Sequence, residues 1–220
     1  MRYAIYYTPP KDAPLSQCVA TWLGRNAFTG ETIETTHGLD DLLVSPRKYG
    51  FHGTLKAPFH LAKGVREDDL IELFDTFAQN HSAFTLPNVQ LSKLGPFFAL
   101  TPSAPNGQLE TLGSEAVRTF EPMRAPLSQA DIERRNPAKL SGQQRAYLER
   151  WGYPYVMDEF RFHLTLTGPV DDADSSRVEE AIKTHFEAFL DKPLPIETLG
   201  LFAEQERGGP FSVLRVASLL

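Results

Sequence analysis

Apolar residues recur at helical spacing in two well-separated stretches. Over Glu67–Asn80 the stripe is Leu70, Ile71, Leu73, Phe74 and Phe77. Over Asp174–Leu190 it is Val178, Ala181, Ile182, Phe186 and Phe189. Each spacing predicts an amphipathic helix with an acidic start. Ahead of each helix lies a segment with the shorter period of a strand. These are Phe51-His52-Gly53-Thr54-Leu55 and Phe162-His163-Leu164-Thr165-Leu166. In a strand, residues two apart point to the same side. Phe51 and Leu55 therefore share one face with Gly53, and His52 and Thr54 share the other. In the second copy, Phe162, Leu164 and Leu166 oppose His163 and Thr165.

The two stretches belong to a longer internal repeat. Aligning Gly50–Pro58 with Arg161–Pro169 brings Phe, His, Thr, Leu and Pro into register, with the histidines 111 positions apart. Leu86-Pro87 follows the first helix and Leu194-Pro195 the second. Gly95-Pro96-Phe97 and Gly209-Pro210-Phe211 come later in the same order. Strand, helix, strand, strand thus appears twice. One such unit cannot cover its apolar face alone, whereas two packed together can. The expected fold is α+β and bilobal. Two pseudo-twofold-related lobes with antiparallel-rich sheets are flanked by helices, all in one domain over 1–220. The repeats are expected at about 48–104 and 159–220. An N-terminal strand, Arg2–Thr8, and a helix near Leu15–Arg25 join one lobe, separated by Pro9-Pro10.

The stretch Pro122–Pro154 has no counterpart in the repeat. It predicts a helical insert, with one helix over Ser128–Arg135, a break at Asn136-Pro137, and a second helix over Ser141–Trp151. Ser128 and Ser141 are the N-caps. Arg134, Arg135, Lys139, Arg145 and Arg150 make it locally basic. Such a surface is either a solvated helical face or a cationic lid over an anionic substrate, and the sequence leaves both open.

A pseudo-twofold that joins the two His/Thr faces brings two imidazoles and two hydroxyls to one cavity. By strand parity Lys56 and Arg161 fall on the same face, and Lys48 does too if the strand starts that early. Cations beside histidines suit a phosphate. Cleaving a phosphodiester needs a base for the nucleophile and an acid for the departing oxygen. Histidine serves as either near neutrality. Thr54 and Thr165, with Lys56 and Arg161, would then bind the phosphate oxygens. Tyr49 and Tyr155 either flank the substrate or pack in the core. A lone histidine in a strand is usually structural. Two in equivalent repeat positions, on the polar side of apolar strands, point to catalysis. His37, His60, His81 and His185 carry no such signal.

Composition removes several alternatives. The net charge of -6 argues against broad nucleic-acid binding, which needs a basic surface. DNA is therefore not expected as a partner, and RNA is a weaker candidate than a small phosphorylated substrate. Cys18 is the one cysteine, so neither a disulfide framework nor a cysteine zinc site is expected. There is no His-Glu-x-x-His and no Gly-rich phosphate loop, so no metal and no cofactor are expected. Met1–Thr8 reads as a strand, not a signal peptide, and no apolar run reaches membrane-spanning length. A cytoplasmic address without membrane contact is expected.

The doubled motif resembles that of the two-histidine (2H) phosphoesterase superfamily, a repeated His-hydrophobic-Ser/Thr-hydrophobic pattern. Gly53 departs from it at a hydrophobic position. Longer strings, including Arg2–Tyr7, Trp22–Arg25, Lys48–His52, Trp151–Tyr155 and Phe160–His163, resemble a bacterial branch associated with phosphonate-utilisation genes. The resemblance implies the bilobal fold and catalysis by His52 and His163 without a metal. It also implies a cyclic phosphodiester substrate, with 5-phosphoribosyl 1,2-cyclic phosphate as one candidate. Which histidine is the acid stays open. An RNA-end 2',3'-cyclic phosphodiesterase and a non-catalytic phosphate-ligand binder are the rivals.

Overall fold

A computed structural model describes residues 1–220. Strand β1 (Arg2–Tyr7) leads into α1 (Pro14–Leu23), where Pro14 supplies a helix-ready φ and Gly24 ends the helix in the left-handed region. Then come α2 (Asp40–Tyr49), β2 (Gly53–Phe59), α3 (Glu67–Gln79), β3 (Phe84–Leu94) and β4 (Phe97–Pro102). Helix α4 spans Gly107–Thr119. The insert holds α5 (Gln129–Arg134) and α6 (Gly142–Trp151). The chain ends with β5 (Leu164–Thr165), α7 (Asp172–Phe186), β6 (Lys192–Ile196), β7 (Thr198–Glu204) and β8 (Phe211–Ser218). The two striped segments are α3 and α7. Ser128 and Ser141 cap α5 and α6 by accepting from the N–H groups of Asp131 and Gln144.

All eight strands form one antiparallel sheet in the order β6-β3-β4-β5-β2-β1-β7-β8. The order is symmetric about its centre, where the two motif strands pair through Gly53 and Leu164. Each half of the sheet takes strands from both halves of the chain. Leu86 of β3 pairs with Leu194 of β6, so the two Leu-Pro segments of the repeat meet each other.

One face of the sheet is packed under helices. Tyr3, Ile5 and Tyr7 of β1 enter a large core with Phe51, Leu55, Phe162, Leu164 and Leu166, covered by Leu70 and Phe74 of α3 and Val178 and Ile182 of α7. Burying each large side chain contributes about 1.5–3 kcal/mol. The alternate residues of β1, Ala4 and Tyr6, join Phe202 and Phe211 in a small cluster on the opposite face. That second face carries the cavity described next.

Two helices were not expected from the sequence. Helix α2 buries only Leu43 and Pro46, so it lacks an apolar stripe. Helix α4 does bury a stripe (Leu109, Leu112, Ala116, Val117), but Gly107 and Gly113 dilute it. Gly113 is needed because a Cβ there would lie 2.9 Å from the Phe160 ring.

Candidate active site

On the second face of the sheet, β1, α2, β2, β5 and the insert line an open cavity of about 270 Å³. Its wall includes His52, Thr54, His163 and Thr165, brought together by the central strand pair. The apolar partners of each motif anchor the other side of the strands in the core. Gly53 has a packing reason: a Cβ there would run into Cε2 of Phe162. The phenyl ring of one motif thus occupies the space that a side chain at the centre of the other would need.

Both imidazoles are oriented by the same local device. Nδ1 of His52 lies 2.8 Å from the carbonyl of Gly50, and Nδ1 of His163 lies 2.7 Å from the carbonyl of Arg161. A carbonyl can only accept, so each Nδ1 carries the proton. Each Nε2 is then the free nitrogen, with no protein group bonded to it. Gly50 ends α2 at φ 72°, where a Cβ would also meet Ala27 at 2.7 Å, so the His52 anchor depends on glycine.

The two rings differ in surroundings. His52 stacks on Tyr6, with centroids 3.9 Å apart and planes at 26°. Burial disfavours its charged form, only partly offset by the Gly50 carbonyl, and the nearby His163 adds to the effect. Its pKa falls to about 4. The His163 ring is tilted against that of Phe97, with centroids 5.8 Å apart, and is more open.

Two of the expected phosphate contacts are not on this wall. Lys56 is 2% exposed and faces the core, where it pairs with Glu121 at 2.5 Å and donates to the Val117 carbonyl. The β1–β2 register explains the reversal. Thr54 pairs with Tyr6 but Lys56 pairs with Ile5, so one extra residue is accommodated between them. This bulge turns both Leu55 and Lys56 to the core and returns Ala57 to the cavity. Arg161 precedes the two-residue β5 and lines a separate cavity beside Leu94, Phe160 and Phe162. Tyr49 is on the main wall, stacked on Phe211, whereas Tyr155 is 45% exposed and off it. Lys48 is directed to Glu204 at 3.9 Å.

The cavity also holds residues that strand parity alone did not single out. Tyr6 and Arg2 come from β1, Ser45 and Pro46 from α2, and Arg134, Arg135 and Tyr153 from the insert. The alternation of Arg2, Ala4 and Tyr6 in the N-terminal strand was the available signal. Which strand β1 would lie beside was the missing one. No group of three or more His, Cys, Asp or Glu is placed to hold a metal ion. No helix is long and apolar enough to cross a membrane.

A family model described as a protein of unknown function (DUF1045) matches residues 54–212. A protein from Janthinobacterium sp. (strain Marseille), named ribose 1,5-bisphosphate phosphokinase PhnN, is 36% identical over 96% of this chain. A protein of the same name from Laribacter hongkongensis (strain HLHK9) is 33% identical over the whole chain. The chain spans about half the length of these relatives, 49% and 52%. Among solved structures, Escherichia coli LigT complexed with NADP+ aligns over 99% of this chain and 97% of its own, at 13% identity and a TM-score of 0.48. A Thermus thermophilus protein, TT0787, aligns over 100% and 98%, at 17% identity and a TM-score of 0.46.

Proposed function

This chain belongs to the DUF1045 family, and we propose that it is a metal-independent phosphoesterase that opens a small cyclic phosphodiester to a phosphomonoester. One observation carries the reading. Two imidazoles from equivalent strands have Nδ1 tied to a carbonyl and Nε2 unpartnered in one cavity with two threonine hydroxyls.

His52 is the general base. Its ring is held neutral at pH 7 by burial, so the Nε2 lone pair accepts a proton from water. The water oxygen bonds to phosphorus, one P–O ester bond breaks, and His163, as imidazolium, gives its Nε2 proton to the departing oxygen. Thr54 and Thr165 hydrogen-bond the non-bridging oxygens as charge grows on them. Each proton transfer is typically worth ~10²–10⁴ in rate.

A ribosyl cyclic phosphate in phosphonate metabolism is the favoured substrate. The relatives' name concerns a ribose bisphosphate, which supports a ribosyl phosphate context. It does not support kinase chemistry in this half, which has no Gly-rich phosphate loop. An RNA end is the rival substrate, but the small cavity and net charge of -6 favour a compact ligand.

The test is turnover of ribosyl 1,2-cyclic and nucleoside 2',3'-cyclic phosphates with EDTA present. Wild type should turn over at least one of them, and His52→Ala and His163→Ala should each lose about 10²-fold or more in kcat. Activity abolished by EDTA, or unchanged in either variant, would contradict the mechanism. Binding without turnover would make the protein a phosphate-ligand binder instead.

A further inference from the structure

The charge of the cavity wall is opposite to that of the molecule. The chain carries -6, yet the wall contains Arg2, Arg134 and Arg135 and not one Asp or Glu. Two histidines and two threonines suffice for one phosphodiester, so these cations are surplus to it.

They also lie apart from the histidines. Tyr6, stacked on His52, pairs with Thr54, whereas Arg2 is four residues further along β1. At 3.3–3.4 Å per residue the Cα of Arg2 is about 13 Å along the strand. The three arginines and Pro58 also border an adjoining small cavity, with His60 and the Arg134 partner Asp131, which neither His52 nor His163 reaches. The arginines therefore mark one end of the site and the histidines the other.

Their side chains are held ready for an anion. Arg2 is hydrogen-bonded through Nε, 2.5 Å from buried Glu204, and its guanidinium carbon lies 5.6 Å from the centre of the Phe211 ring. The rest of its donor fork is unused. Arg135 has no carboxylate partner and lies with its guanidinium carbon 4.8 Å from the centre of the Tyr153 ring. Arg134 is partly engaged by Asp131, which also holds Arg207. A guanidinium with free N–H groups suits the oxygens of a phosphate monoester.

We infer that Arg2 and the insert residues Arg134 and Arg135 form a second anion subsite, which takes a phosphomonoester carried by the substrate at the end opposite its cyclic phosphate. The inference rests on the phosphoesterase reading for the identity of the other end. It makes the insert a specificity element: the enzyme selects sugar phosphates bearing two phosphates.

Binding tests this separately from catalysis. Calorimetric titration with ribose 5-phosphate, using ribose as control, would compare wild type, Arg135→Ala, Arg135→Lys and the double variant His52→Ala/His163→Ala. Wild type should bind ribose 5-phosphate and not ribose. The double histidine variant should bind it about equally well, and Arg135→Ala about tenfold or more weakly. Arg135→Lys should fall between them. An unchanged melting temperature for Arg135→Ala would show that its fold is intact. Equal binding by Arg135→Ala and wild type would overturn the subsite, as would loss of binding in the histidine variant or no preference over ribose. Absence of turnover on any cyclic phosphate would count against the catalytic reading and leave this result standing.

Discussion

The two catalytic candidates are chemically identical residues given different surroundings. His52 is stacked on Tyr6 and shielded, while His163 has the tilted ring of Phe97 beside it. Shielding has a consequence for stability. The His52 pKa drops from 6.5 to about 4 on folding. Between those values the unfolded chain binds a proton that the folded one excludes, so stability falls as pH drops from about 6.5 to 4. The full shift corresponds to roughly 3 kcal/mol. Urea denaturation at about pH 7 and about pH 4.5 should show wild type losing more stability than His52→Gln over that interval. Parallel losses would contradict a half-buried His52 held neutral by its surroundings.

At the scale of elements, the motif strands were legible because their alternation is strict. Phe51, Leu55, Phe162 and Leu166 read as core, and they are. Helices α3 and α7 were legible from their stripes. Lys56 was misplaced because parity holds only without a bulge, and a bulge depends on the partner strand β1. Its ion pair with Glu121 now reads as a tie between β2 and the turn after α4. Arg161 was misplaced because β5 is two residues long, too short for parity to extend back to it. Gly53 looked like a flaw in the second position of its motif, and the ring of Phe162 explains it. Gly53→Ala should therefore overpack the central strand pair and cost about 1–3 kcal/mol. Thermal unfolding of this variant measures the cost. A Tm equal to wild type would show that Phe162 can swing away freely.

At the scale of the whole molecule, the repeat generates a sheet whose order is symmetric about β5–β2, and that symmetry puts two histidines across one cavity. The doubled motif announced this arrangement in the sequence. What it did not announce was the asymmetric part: β1 bringing Arg2 and Tyr6 to the wall, and the insert bringing Arg134, Arg135 and Tyr153. Those contacts join residues far apart in the chain and follow from packing, not from periodicity. The basic insert read from sequence as either a solvated surface or a lid. In the fold, Arg134 and Arg135 border the site, whereas Arg145 and Arg150 do not line it.

The central claim is that His52 works as a neutral base in a two-histidine cavity. The pH dependence of kcat/KM on the best cyclic phosphate, for wild type, His52→Ala and His163→Ala, tests it most directly. The wild-type profile should have its acid limb near about pH 4, where His52 becomes protonated. Residual activity of His52→Ala should lose that acid limb, and that of His163→Ala should keep it. An acid limb that survives removal of His52 would assign the base elsewhere and contradict the account.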